Sequence, residues 1–136
     1  MKNIFLVAIA VVVSGCAAIQ PVSQEVNTNV IASTNPAPTG CRFVTQVLGS
    51  QGNFITGGFT SNANLESGAM NDLKNKAFEA HGNYVQIVTN RAGVTASSSI
   101  SSDGAGGFFG GGRSQQTNVT STGNVYKCPA KLIGLE

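Results

Sequence analysis

Three cysteines, one histidine and six aspartate or glutamate residues carry most of the reactive chemistry available to this 136-residue chain. His81 stands at the end of a helical stretch and reads as a cap of that helix. As a metal ligand it would need companions, and no cluster of histidine, cysteine or carboxylate has the spacing that a tetrahedral site demands. Asp72 and Glu79 lie seven residues apart on one solvated helix face. There they are placed to pair with Lys76 or Lys74 rather than to flank a reacting bond. A Ser-His-Asp set cannot be assembled, because nothing orients the single candidate base. The run 104–114, GAGGFFGGGRS, has the glycines of a phosphate cradle but neither its lysine nor a following helix. Charged residues make up 10% of the chain, and Arg42, Lys74, Lys76, Arg91, Arg113, Lys127 and Lys131 are scattered singly. No basic run interleaved with aromatics exists to hold a nucleic acid. The expectation is a protein that is not an enzyme, with no catalytic residues, no metal, no cofactor and no nucleic-acid partner.

The elements that would carry these residues centre on Asn64 to Val88. Leu65, Ala69, Leu73 and Ala77 recur every four residues, with Met70 and Ala80 completing the stripe. The spacing predicts a helix over about 64–81 with one apolar face, capped by Asn64 and stopped by a left-handed Gly82. Tyr84-Val85-Gln86-Ile87-Val88 then switches to strand composition, predicting a strand over about 84–90. Cys41 to Leu48 reads as an earlier strand, about 42–48, closed by Gly49. Between it and the helix, residues 50–63 form a Gly, Asn and Ser connection whose Phe54, Ile55 and Phe59 are expected to tuck beneath it. Beyond Arg91 the composition becomes glycine and serine, so 92–118 is expected to be a Gly/Ser-rich loop. Val94, Ile100 and Val119 allow it to extend into a long hairpin, with the adjacent Phe108-Phe109 near its tip as a contact or a fold-over. A last strand over about 119–127 ends at Pro129, which cannot donate to a ladder. The fold class expected is α+β: one helix on a sheet of about three strands in the order β-α-β-β, a single domain over 41–129 and a tail over 130–136.

Residues 1–16 run from a basic Lys2 through an apolar stretch, Ile4 to Val13, to Val13-Ser14-Gly15-Cys16. The stretch is too short to span a bilayer as a helix. Its end resembles the lipobox of bacterial lipoproteins, which implies a signal peptide over 1–15, cleavage before Cys16, and a thioether diacylglycerol with an N-acyl chain such as palmitate on that cysteine. Three chains, each buried methylene contributing roughly 0.8 kcal/mol, make such an anchor effectively permanent. Ala17 rather than an aspartate follows the cysteine, which by likeness to enterobacterial sorting implies the outer membrane, facing the periplasm. Losing Lys2 with the leader reduces the net charge from +2 to +1, seven basic residues against six acidic. From Ala17 to Gly40 three of the four prolines fall in a stretch without sustained period. With Cys16 it reads as a lipidated, flexible tether over 16–40, whose roughly 24 residues would reach about 25–30 Å. With Cys16 spent on lipid in an oxidising compartment, Cys41 and Cys128 are left to pair. Closing a loop of about 88 residues would stabilise the fold by up to roughly 4–5 kcal/mol.

Taken together, the lipobox, Cys41, the run 68–77 (GAMNDLKNKA), Gly82-Asn83-Tyr84-Val85 and Val125-Tyr126-Lys127-Cys128-Pro129 resemble a family of small proteobacterial lipoproteins of unknown function, the YjeI type. The likeness covers most of 41–129 apart from the Gly/Ser segment. More distantly, the helix motif followed by the G-N-x-V strand is similar to the C-terminal domain of the Rcs envelope-stress sensor lipoprotein. That domain is α+β and held by two disulfides, where this chain can form one. Neither resemblance carries catalytic residues. Asn71 and Asn75 are read as fold residues whose amides bond the backbone of Gly82-Asn83 or of the first strand. The function these likenesses imply is an interaction or envelope-stress-sensing module, attached to the membrane through Cys16 and meeting an envelope protein. The alternatives are a structural or assembly lipoprotein without a signalling role, and a small-ligand carrier.

Overall fold

The computed structural model describes residues 19–53, 57–102 and 108–136, with backbone only for 97–102, 108–111 and 113. In chain order the elements are α1 (Gln24–Asn29), β1 (Ile31–Ser33), β2 (Arg42–Gly52), a 3-10 turn (Gly57–Phe59), α2 (Asn62–Glu79), β3 (Tyr84–Ser102), β4 (Phe108–Lys127) and α3 (Ala130–Ile133). The strands form one mixed sheet in the order β1-β3-β4-β2. β4 runs antiparallel to both of its neighbours, and β1 pairs parallel with β3 from Ile31↔Tyr84 to Ser33↔Gln86. The fold is therefore α+β, as expected, and β2-α2-β3-β4 reproduces the anticipated order. The expected single helix and three strands become three helices and four strands.

The central helix packs as its spacing demands. Leu65, Ala69, Leu73 and Ala77 are all buried, and Gly68 joins them. These small residues let the sheet come close: a side chain at Gly49 of β2 would overlap the Ala69 carbonyl and the Leu73 backbone. Ser61 rather than Asn64 is the N-cap, its Oγ accepting from the Asn64 amide at 3.2 Å. At the other end the left-handed residue is His81 (φ 61), not Gly82. The His81 amide bonds the Phe78 carbonyl and the Gly82 amide the Ala77 carbonyl, the two bonds of a Schellman stop with histidine where glycine is usual. Gly82 is required for a different reason: any side chain there would run into Val125 of β4.

The segment 16–40, expected to be tether, supplies the additional helix and strand from its described part. Ser23 caps α1 through the Val26 amide at 3.1 Å, and Val26 and Val30 enter the core with Leu73, Ala77, Val85 and Val125. A six-residue helix and a three-residue strand are too short to be stable alone, and burial against α2 and β3 holds them in place. The Gly/Ser stretch is strand rather than loop over most of 92–118. β3 and β4 keep pairing from Tyr84↔Tyr126 out to Ser102↔Phe108, with bulges at Ile87/Thr89 and Gly93/Val94. Within the Gly/Ser stretch a cross-strand bond joins Thr95 to Thr117 at 2.9 Å, and just before it Ser121 bonds Asn90 at 2.9 Å. Past Gly93↔Asn118 this ribbon has no third strand, because β2 ends at Gly52. The tail begins with one turn of helix, α3, stopped by Gly134 at φ 71.

Candidate functional site

Cys41 and Cys128 are disulfide-bonded across a sequence separation of 87, as the cysteine count anticipated. The bond joins the residue before β2 to the residue after β4, at one end of the sheet. Asn83 secures that same end. Its amide nitrogen donates to the Cys128 carbonyl at 2.8 Å, and its Oδ1 accepts from the Cys128 amide at 2.7 Å. Its own backbone N–H donates to the Tyr126 carbonyl, and its carbonyl accepts from Ile31 at the start of β1. One buried residue, through its side chain and its backbone, thus ties β1, β4 and the cystine together at the start of β3. Nothing in the sequence marked Asn83 for this beyond its place in the Gly-Asn-Tyr-Val run.

Beside this closed end lies an open groove of about 590 Å³ between α1, the end of α2 and α3. Glu25, Glu79, His81 and Lys127 contribute its charged and titratable groups, while Phe78 and Leu135 give it apolar contact. His81 is held there by the left-handed turn, and among the described residues its ring has no hydrogen-bond or ion-pair partner. The groove thus brings together Glu79 and His81, which the sequence singled out, with Glu25, Asn29 and Lys127 from distant elements. The lining is mixed, more apolar than polar, with two carboxylates and one lysine among its charged groups, a surface of the kind that can take a short peptide. Among the described residues no group of three or more His, Cys, Asp or Glu is arranged to hold a metal ion.

The remaining polar residues of α2 hold backbone rather than ligand. Asp72 accepts from the Ser50 amide at 2.9 Å and pairs with Lys76 at 2.8 Å, the pair its four-residue spacing predicted. Lys76 also donates to the Leu48 carbonyl at 2.6 Å. Lys74 reaches Asn27 of α1 at 2.8 Å instead of a carboxylate. Asn71 and Asn75 do bond backbone, but their acceptors are the Gln20 and Pro21 carbonyls, at 2.9 and 2.7 Å, and not Gly82-Asn83 or β2. The target moved because the supposed tether lies along the helix. Phe59 does not tuck beneath its connection: it is 88% exposed. The readings of Cys16 as lipidated, of residues 1–15 as a signal peptide, and of Phe54 and Ile55 as buried fall outside the described residues, as do the side chains of Phe108 and Phe109. Among the described residues no helix is long and apolar enough to cross a membrane.

Fold and site together define a small α+β domain, closed at one end by a cystine and an asparagine clamp, with an open groove beside that closure. The chain belongs to the family of the domain of unknown function DUF4156, whose profile matches residues 19–128. Neither a curated protein nor a solved structure matches it.

Proposed function

We propose that the protein is a lipoprotein anchored through Cys16 in the outer membrane, facing the periplasm, and that its domain is a non-enzymatic interaction or envelope-stress-sensing module whose contact site is the groove around His81. The likeness of Val13-Ser14-Gly15-Cys16 to a lipobox, and of the helix and strand motifs to YjeI-type lipoproteins and to the Rcs sensor domain, supports the anchor and the role. The observation that carries the choice of site is His81 itself. An L-residue in the left-handed region costs about 1–2 kcal/mol where glycine would fit freely, and such strain collects at functional positions. His81 is exposed and lines the groove with Glu25 and Glu79.

Two experiments test this. Labelling with a radioactive fatty acid should mark the native protein and not Cys16→Ser, and equal label in both forms refutes the anchor. A photo-crosslinking residue at Glu79, in intact envelopes, should capture a protein adduct that the same residue at Asn62 does not. Recovery of only lipid and uncoupled chain from both positions refutes the interaction role and leaves the structural reading.

A further inference from the structure

A flexible tether over 16–40 would let the domain sit about 25–30 Å from its anchor. The structure removes most of that leash. The Gln20 amide donates to Gln51 Oε1 at 2.8 Å, and the Gln20 and Pro21 carbonyls are held by Asn71 and Asn75. Only Ala17, Ala18 and Ile19 separate Cys16 from this fixed point. Four residue steps reach no more than about 14 Å fully extended. The headgroup region of one leaflet alone takes up roughly 5–7 Å of that.

Gln51 lies at the end of β2 opposite the cystine, where Gly52 pairs with Asn118. The 3-10 turn is at the same end: Gln115, just past Asn118 on β4, donates to the Gly58 carbonyl at 2.7 Å. This places Phe59, 88% exposed, beside the anchor, with Ile19 at 37% exposure next to the fixed point. The opposite end carries Glu25, Glu79, Lys127 and Lys131, whose hydration would be lost against a bilayer.

We infer that the domain stands on the phospholipid surface by its Gln51–Asn118 end, with Phe59 and Ile19 in the headgroup layer and the groove turned away from the membrane. This rests on the lipid at Cys16 proposed above. The eleven residues of β2, at about 3.3 Å each, put the groove roughly 35 Å from the anchored end, facing outward to a partner. The ribbon leaves the sheet at the anchored end, where a bulge falls between Gly93 and Val94; its unpaired edges exclude it from hydrocarbon, so this orientation requires it to turn there and run along the headgroups.

The test uses the full mature lipidated chain, cystine intact, in phosphatidylethanolamine–phosphatidylglycerol vesicles with nitroxide on a fraction of the headgroups. A fluorophore is attached at Phe59→Cys or Asn62→Cys at one end, and at Glu79→Cys or Lys131→Cys at the other. Strong quenching at 59 and 62, with none above the nitroxide-free background at 79 and 131, is the expected result. Protein that fails to float with the vesicles overturns the anchor and the orientation with it. Protein that floats but is quenched equally at both ends, or more at 79 and 131, overturns the orientation alone. A Gly/Ser insert of about 20 residues after Ala18, reaching roughly 25 Å, should bring the signal at 59 and 62 close to background. Unchanged quenching with the insert overturns the short leash as its cause.

Discussion

Removing the amide of Asn83 should be among the most damaging changes that delete no apolar group. Asn83→Ala leaves the N–H and the carbonyl of Cys128 without the partners they have at 2.7 and 2.8 Å, and Cys128 is only 4% exposed. Each orphaned buried group costs about 1–3 kcal/mol, so the pair should lose about 4 kcal/mol. For a domain of this size 1 kcal/mol moves the melting temperature by about 3–5 °C, so the midpoint should fall by about 12–20 °C. Thermal unfolding of the chain, followed by circular dichroism with the cystine intact, measures this. Asn75→Ala is the internal standard, since it breaks one bond, to a Pro21 carbonyl that is open to water and re-satisfied by it, and should cost about 0.5–1 kcal/mol. Asn83→Asp keeps the acceptor for the Cys128 amide but turns an oxygen toward the Cys128 carbonyl, so it should be at least as destabilising as alanine. If Asn83→Ala melts no lower than Asn75→Ala, the clamp is not what closes this end of the sheet.

His81→Gly should raise stability by about 0.5–1 kcal/mol, the left-handed strain relieved less the entropy glycine adds to the unfolded chain, while partner capture at the groove falls. A higher melting temperature with capture unchanged would make His81 a mere stop. Replacing both Cys41 and Cys128 by serine opens a closure of 87 residues and should lose up to about 4–5 kcal/mol, read from chemical denaturation with and without reductant. Replacing residues 96–114 with an Asn-Gly turn, so that Thr95↔Gln115 becomes the last pair, should change the melting temperature by less than about 3 °C. A two-stranded ribbon without a packed face contributes little to the domain it leaves. Asp72→Ala should cost about 1–2 kcal/mol, because the Ser50 amide loses its acceptor and Lys76 its pair.

The parts of this fold legible in the sequence are those specified by neighbours along the chain. The four-residue recurrence of Leu65, Ala69, Leu73 and Ala77 needs only helix geometry to be read, and all four are buried. The cystine followed from counting thiols. What stayed hidden depends on residues far apart. β1 is three residues long and exists because Ile31 meets the Asn83 carbonyl, a contact spanning over fifty positions of sequence that leaves no local trace. Val22, Val26 and Val30 recur at the helical four-residue spacing, the one signal that could have found α1, but the prolines on either side hid it. The ribbon was hidden for the opposite reason: glycine and serine predict disorder on composition, yet Thr95 meets Thr117 only once the strands are already paired. The groove shares this dependence, since Glu25 and Lys127 reach it from opposite ends of the chain.

The polar motif of α2 can be explained without any ligand. β2 is an outer strand, and an outer strand offers unpaired backbone groups to anything that can add to it. Asp72 and Lys76, one helical turn apart, take the Ser50 amide and the Leu48 carbonyl, so the helix covers that edge with its own side chains. One residue before each of them, Asn71 and Asn75 also stand one turn apart and take the two carbonyls of Gln20-Pro21 farther round the same flank, where the Gln20 amide meets Gln51 of β2. A helix presents residues i and i+4 on one line, so two such pairs offset by a single position, about 100° apart, serve two adjacent backbones. The chain ahead of α1 is thereby fixed to the same helix that guards the sheet edge. Under the proposed lipid anchor, a pull on the N-terminus would reach the core through Gln51, Asn71 and Asn75 before it reached α1.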